Sequence, residues 1–136
     1  MSSRFEITRK PIDPSLFPPS GVNGGQVVFV GTVRGRDRDR DVVRLEYEAY
    51  VPMAEKVFGE IGNEAEKKFG VAACSILHRA GVLEPGEVSV VVAVSAEHRS
   101  EAFRACEYIV GELKRRTPIW KKQTYRDGTS EWLNGG

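Results

Sequence analysis

Apolar and polar positions follow two different periods along this chain, and the switches between them mark its elements. Phe5-Glu-Ile-Thr8 alternates briefly and predicts a first strand. From Pro11 to Gly25 the pattern breaks at Pro11, Pro14, Pro18 and Pro19 and then at Gly21, Gly24 and Gly25, which predicts a loop with at most one helical turn. Gln26 to Val33 is β-rich and predicts a buried strand, and Val43 to Tyr50 alternates with Leu45, Tyr47 and Ala49 on one face. After Pro52, a residue suited to a first helical turn, Met53, Val57, Ile61, Ala65 and Phe69 recur every four residues. An amphipathic helix therefore runs to about Phe69, where Gly70 stops it.

Val71 to Arg79 predicts another strand, Leu83-Glu-Pro-Gly-Glu87 a turn, and Val88 to Ser95 a strongly β-branched strand. A second helix spans Arg99 to Arg116 with Ala102, Phe103, Cys106, Ile109, Val110 and Leu113 on one face, and Pro118 closes it. Ile119 to Arg126 and Thr129 to Leu133 flank Asp127-Gly128, a two-residue hairpin signal. Two helices for about six strands predict a single α+β domain over residues 1–136, a two-layer sandwich with a mostly antiparallel sheet. Residues 1–24 read as a Pro/Gly-rich N-terminal segment and 133–136 as a tail.

Composition narrows the class. The chain is 136 residues long, enough for one core without disulfide or metal staples. Its 20 Lys+Arg against 19 Asp+Glu give a net charge of +1, which argues against a general nucleic-acid binder. Cys74 and Cys106 are too few for a disulfide scaffold and too far apart for a CxxC knuckle, so no metal is expected. The longest apolar run, Val90 to Val94, is far too short to span a bilayer, and the first residues lack a signal-peptide stretch. The expectation is a cytoplasmic protein in a reducing compartment.

Several cations stand out against this background. Lys114 lies eleven residues after Phe103, within about 20° of it around a helix, so it falls in the apolar stripe. Two readings fit: a lysine snorkelling at a helix end, or a partly desolvated amine that binds an anion or exchanges protons. Lys121 emerges just past the same helix, where Ile119, Lys121 and Gln123 share one strand face and Trp120, Lys122 and Thr124 the other. The ammonium groups of Lys114 and Lys121 could converge there, while a solvated edge-strand Lys pair reads equally well. His98-Arg99 sits at a strand-to-helix junction, either an anion site or an ordinary start capped by Ser95 or Ser100. Arg34 exits a strand, ahead of an Arg-Asp alternation through Asp41 that reads as a self-neutralising solvated loop. Cys106 reads as a small core residue, and His78-Arg79 as a capping or interface pair as readily as a second site.

Taken in order, five stretches resemble the large catalytic subunit of molybdopterin synthase, the family that builds the dithiolene of the molybdenum cofactor. They are Phe29-Val-Gly-Thr-Val-Arg34; Leu45-Glu-Tyr-Glu-Ala-Tyr50 with Met53-Ala-Glu-Lys56; His78-Arg-Ala-Gly-Val-Leu-Glu-Pro-Gly-Glu87; Val94 to Phe103; and Leu113 to Lys122. The resemblance implies an α/β-hammerhead type of fold and a sulfurtransferase with no cofactor of its own. Its substrate would be a cyclic pyranopterin monophosphate, and its sulfur would come from a small ubiquitin-like carrier ending in a Gly-Gly thiocarboxylate. It implies a homodimer within a heterotetramer. By the same resemblance Lys114 and Lys121 are catalytic, while Thr32, Val33, Arg34, His98, Arg99, Lys122 and Gln123 bind substrate. His98 and Arg99 would be supplied across the dimer interface.

The chain departs from that pattern in its short, Pro-rich start, and it has no counterpart to a C-terminal basic contact of longer relatives. It also closes on Gly135-Gly136, the ending expected of the carrier, although what precedes does not read as ubiquitin-like. A rival reading is a non-catalytic pterin- or phosphate-binding module, and another is a scaffold that docks the carrier.

Overall fold

In a computed structural model the fold is described for residues 3–17 and 21–134; the Pro18-Pro19 pair and the Gly135-Gly136 ending lie outside the described residues. The strands are β1 (Phe5–Thr8), β2 (Gly25–Thr32), β3 (Arg36–Asp37), β4 (Arg40–Ala49), β5 (Ala73–Arg79), β6 (Gly81–Leu83), β7 (Val88–Ala96), β8 (Ile119–Tyr125) and β9 (Ser130–Asn134). The helices are α1 (Val51–Phe69) and α2 (Arg99–Arg116). One sheet has the order β1-β5-β7-β2, parallel only at β1–β5; the other runs β3-β4-β8-β9, with β6 also pairing β4. The expected α+β class holds, with two strands, β3 and β6, beyond those that periodicity marks.

The continuous apolar runs of β5 and β7 follow from cover on both faces. Cys74, Ile76, Val92 and Val94 pack with Phe58, Ile61 and Ile109 of the helices. Leu77, Val91 and Ala93 face the other way, against Ile12 and Phe17. The Pro-rich start therefore does more than connect: its single 3-10 turn, Pro14–Leu16, is capped by the Asp13 carboxylate and brings two apolar side chains onto the sheet.

Three sequence expectations shift. Gln26 to Val33 reads as a buried strand, yet among the described residues β2 pairs with β7 alone and ends the sheet order, with Phe29 and Val30 exposed. The Arg34–Asp41 run is self-neutralising but is no plain loop. Asp37 pairs Arg40 across a tight turn with Arg38 and Asp39 both at positive φ, the twist-matched geometry of a two-residue hairpin. At the far end Asp127-Gly128 does mark a hairpin, but its loop has three residues, because Tyr125 and Thr129 still bond and Gly128 takes φ 88°.

Helix limits match the sequence, while helix faces are turned. Gly70 caps α1 at φ 69° and α2 spans the expected residues. The buried face of α1 is Ala54, Phe58, Ile61, Gly62 and Ala65, leaving Met53 exposed. On α2 it is Ala102, Ala105, Cys106, Ile109 and Leu113, and Phe103 is 60% exposed. Neither Ser95 nor Ser100 caps α2; His98 occupies that position without a side-chain bond. No helix among the described residues is long and apolar enough to cross a membrane.

Candidate active site

A cavity of about 360 Å³ opens at the seam of the two sheets, beneath the C-terminal end of α2. β2 contributes Phe29, Gly31 and Thr32, with Arg34 just past its end. β4 and β5 add Tyr47 and His78, β7 adds Ser89 and Val90, and α2 with its exit adds Val110, Leu113, Lys114 and Thr117. Ile119 and Lys121 of β8 close the wall. Gly31 is required here, since a Cβ would stand 2.6 Å from Val90 Cγ1 across the β2–β7 pair.

Of the nine residues the resemblance marks as catalytic or substrate-binding, the fold brings Thr32, Arg34, Lys114 and Lys121 to this cavity, and His78 of the His78-Arg79 pair joins them. Lys114 lies on the ridge of Phe103 and Val110, as the spacing predicts, but that ridge is not the core stripe. It is displaced by about 100° from the buried face and runs along the edge of β2, lining an open, mainly apolar groove with Val27, Val28 and Phe29. Lys114 is accordingly exposed at the mouth, not desolvated. Lys121 is the half-buried amine. Burial, the largest cause, pushes its ammonium below the usual lysine range; Asp37 opposes the shift, and the charges of Arg34 and Lys114 add to it. Arg34 reaches out with its side chain 80% exposed and stands 4.0 Å from an Asp37 oxygen.

Five expected residues lie elsewhere. Val33 is 4% exposed, its side chain in the core and its backbone bonded to Glu87 and Gly86. Gln123 is buried, with its amide donating to Asp37 at 2.9 Å and to the Tyr125 hydroxyl at 3.1 Å. Lys122 points to the other face of β8, 5.9 Å from the Trp132 ring. His98 and Arg99 stand at the N-terminal end of α2, about 24 Å along the helix from Lys114 at 1.5 Å per residue. Within one copy they do not meet the cavity.

Of the neutral half of the wall, sequence reasoning marked His78 only as one half of a capping, interface or second-site pair and did not bring it to this cavity. His78 Nδ1 lies 2.7 Å from the Arg79 carbonyl oxygen and donates to it, which leaves Nε2 a bare acceptor. That Nε2 has no partner, and neither has the buried Thr117 hydroxyl in the same wall. Burial pulls the His78 pKa down to about 4, so the ring is neutral, and it stands edge-on to Tyr47 at 4.8 Å. The alternation of β4 did turn Tyr47 inward, but no pattern told core from cavity wall. The wall thus combines two lysines and an arginine with unpaired neutral groups, a setting for an anion carried on a hydrogen-bonding body.

The family model described as MoaE protein matches residues 7–116. The molybdopterin synthase catalytic subunit of Bacillus subtilis (strain 168) is 44% identical over 133 residues, 96% of this chain and 84% of the relative. That of Staphylococcus aureus (strain COL) is 42% identical over 132 residues, 95% and 88%. The crystal structure of molybdopterin synthase from Staphylococcus aureus superposes with a TM-score of 0.91 at 39% identity, covering 98% of this chain and 99% of that one.

Proposed function

The chain belongs to the MoaE family of molybdopterin synthase catalytic subunits, and we propose that sulfur passes in its cavity from a thiocarboxylated carrier to a cyclic pyranopterin monophosphate. It is a sulfurtransferase of molybdopterin synthesis. The observation that carries the finer reading is the meeting of Lys114, Lys121 and Arg34 around one cavity that also holds unpaired neutral groups.

The chemistry asks for that combination. A phosphate and a thiocarboxylate repel each other, and fixed cations in a partly dry site offset the repulsion. Arg34 suits the phosphate, because guanidinium offers paired donors. Lys114 at the mouth and Lys121 within suit the thiocarboxylate and the charge that develops as its sulfur bonds to a pterin carbon and the carbon–oxygen bond there breaks, the oxygen leaving as water or on the phosphate. Water then cleaves the acyl–sulfur bond, the carrier leaves as a carboxylate and the sulfur stays on the pterin. A dithiolene carries two sulfurs, so two carriers are consumed per product.

The carrier is the small ubiquitin-like subunit with a Gly-Gly end, whose extended, side-chain-free tail suits entry at the cavity mouth where Lys114 stands. The rest of the assembly is a homodimer within a heterotetramer. Phe29, Val30 and Phe103, apolar side chains exposed beside one another on β2 and α2, support a second copy there. A second copy is also what His98 and Arg99 need to reach a cavity. The setting is the reducing cytosol, where the buried Cys74 and Cys106 remain thiols.

The test is incubation of the purified chain with thiocarboxylated carrier and the pyranopterin, with sulfur in the pterin product read by mass spectrometry. Formation of the dithiolene is expected. Pterin binding without sulfur incorporation would instead identify a binding module, and carrier binding without pterin affinity a docking scaffold.

A further inference from the structure

Asp37 reads in the sequence as one more aspartate of a solvated run, but its surroundings set it apart. Its side chain is 21% exposed, against 99% for Asp39 two residues on. It accepts a hydrogen bond from Gln123 Nε2 at 2.9 Å and stands 3.5 Å from Arg38 Nε and 4.0 Å from Arg34 Nη2. Gln123 and Lys121 share a face of β8, so this bond anchors the carboxylate over the strand that carries the half-buried amine. A fixed anion thus sits inside a cluster of cations at the rim of a cavity suited to anions.

We propose that Asp37 is a positioning residue that serves as the internal counter-ion of this cluster, holding Arg34 across the cavity mouth and facing Lys121 until an anionic group takes its place. The inference rests on the reading of Arg34 and Lys121 as substrate-handling cations. The groups that share the cavity wall with Lys121 are Arg34 past β2, Lys114 on α2, Tyr47 on β4 and His78 on β5, and Asp37 on β3 acts on it through charge from the rim. His78 is neutral and Tyr47 a buried phenol, while Arg34 and Lys114 repel the ammonium. Asp37 opposes, without cancelling, the effect of burial and of both like charges on Lys121. Gln123, buried and fully engaged, contributes by fixing this carboxylate in place.

The experiment is an NMR titration of the lysine side chains in the free chain, with Lys121 assigned through Lys121→Arg. Asp37→Asn keeps the shape and an oxygen acceptor for Gln123, and it should lower the Lys121 midpoint by about half a pH unit or more. Asp37→Glu should restore the midpoint, and Asp39→Asn should leave it in place. Asp37→Ser removes the carboxylate a second way, should lower the midpoint likewise, and supplies the readout if the Asn variant folds poorly. An unchanged midpoint in a natively folded Asp37→Asn or Asp37→Ser protein would overturn the proposal, as would an equal drop in Asp39→Asn. Since neither pterin nor carrier is present, such a failure counts against Asp37 alone. Loss of pterin turnover by the unmodified chain would count against the functional reading.

Discussion

His78 shows how one side chain can join stability to the site. Its ring is buried among apolar neighbours, its Nδ1–H is committed to the Arg79 carbonyl, and its pKa falls from 6.5 to about 4. The unfolded chain therefore takes up a proton at a pH where the folded chain does not. His78 costs nothing above about pH 6.5, and stability declines as pH falls from there to about 4, by about 3 kcal/mol in all. Urea unfolding across this range should show that decline, and His78→Gln should flatten it; equal slopes would exclude His78 as the cause. Glu64 acts in a lower window. Its bonds to Arg116 and Tyr108 hold its pKa down to about 2, so its contribution fades only below about pH 4.5. Little of this was legible beforehand. The sequence marks His78-Arg79 as unusual but does not say that β5 is covered on both faces, which is what neutralises the ring.

Helix and strand limits were largely readable, because Pro52, Gly70, Pro118 and the turn residues act locally. Faces were not, because they depend on what packs where. On α2 the expected face holds at Ala102, Cys106, Ile109 and Leu113 but not at Phe103 and Val110, since β2 is an edge strand and covers only part of the helix, leaving Phe103, Val110 and Lys114 as a ridge beside it. On α1 the deciding residue is Gly62, whose missing side chain admits Phe5: a Cβ there would lie 2.5 Å from the Phe5 ring and 3.2 Å from Cys74 Sγ. Gly62→Ala should therefore destabilise the fold by about 1–3 kcal/mol, the usual cost of overpacking. Gly59→Ala, on the same helix with its nearest contact at 3.9 Å, should be neutral or stabilising by up to about 1 kcal/mol. Thermal unfolding of the two variants checks the pair, and equal effects would contradict the close-approach account. The same local-versus-tertiary division explains β3. Its Arg-Asp run carries no apolar pattern, so neither the hairpin nor the seat of Asp37 could be read from periodicity.

At the scale of the molecule, the proposed function assigns substrate-handling residues to both ends of α2. His98 and Arg99 are about 24 Å from Lys114 within a copy, so the proposal that they bind substrate requires a second copy to bring them to the cavity. Complementation tests this directly. His98→Ala and Lys114→Ala proteins, each inactive alone, should recover about a quarter of wild-type activity when mixed and allowed to exchange, because random pairing leaves one intact site in each mixed dimer. No recovery after verified exchange would place the whole site in one copy. The cavity itself, at the seam between sheets, was invisible to sequence pattern; of the marked cations, Arg34, Lys114 and Lys121 meet there, beside Thr32 and His78. The central claim concerns the two lysines. The most direct measurement is single-turnover sulfur transfer by the wild-type chain and by Lys114→Ala and Lys121→Ala, with carrier affinity measured in parallel. The account predicts dithiolene from the wild type and a drop of at least about 100-fold in both variants with carrier binding retained, the scale of lost transition-state charge stabilisation. Undiminished transfer in either variant would contradict it.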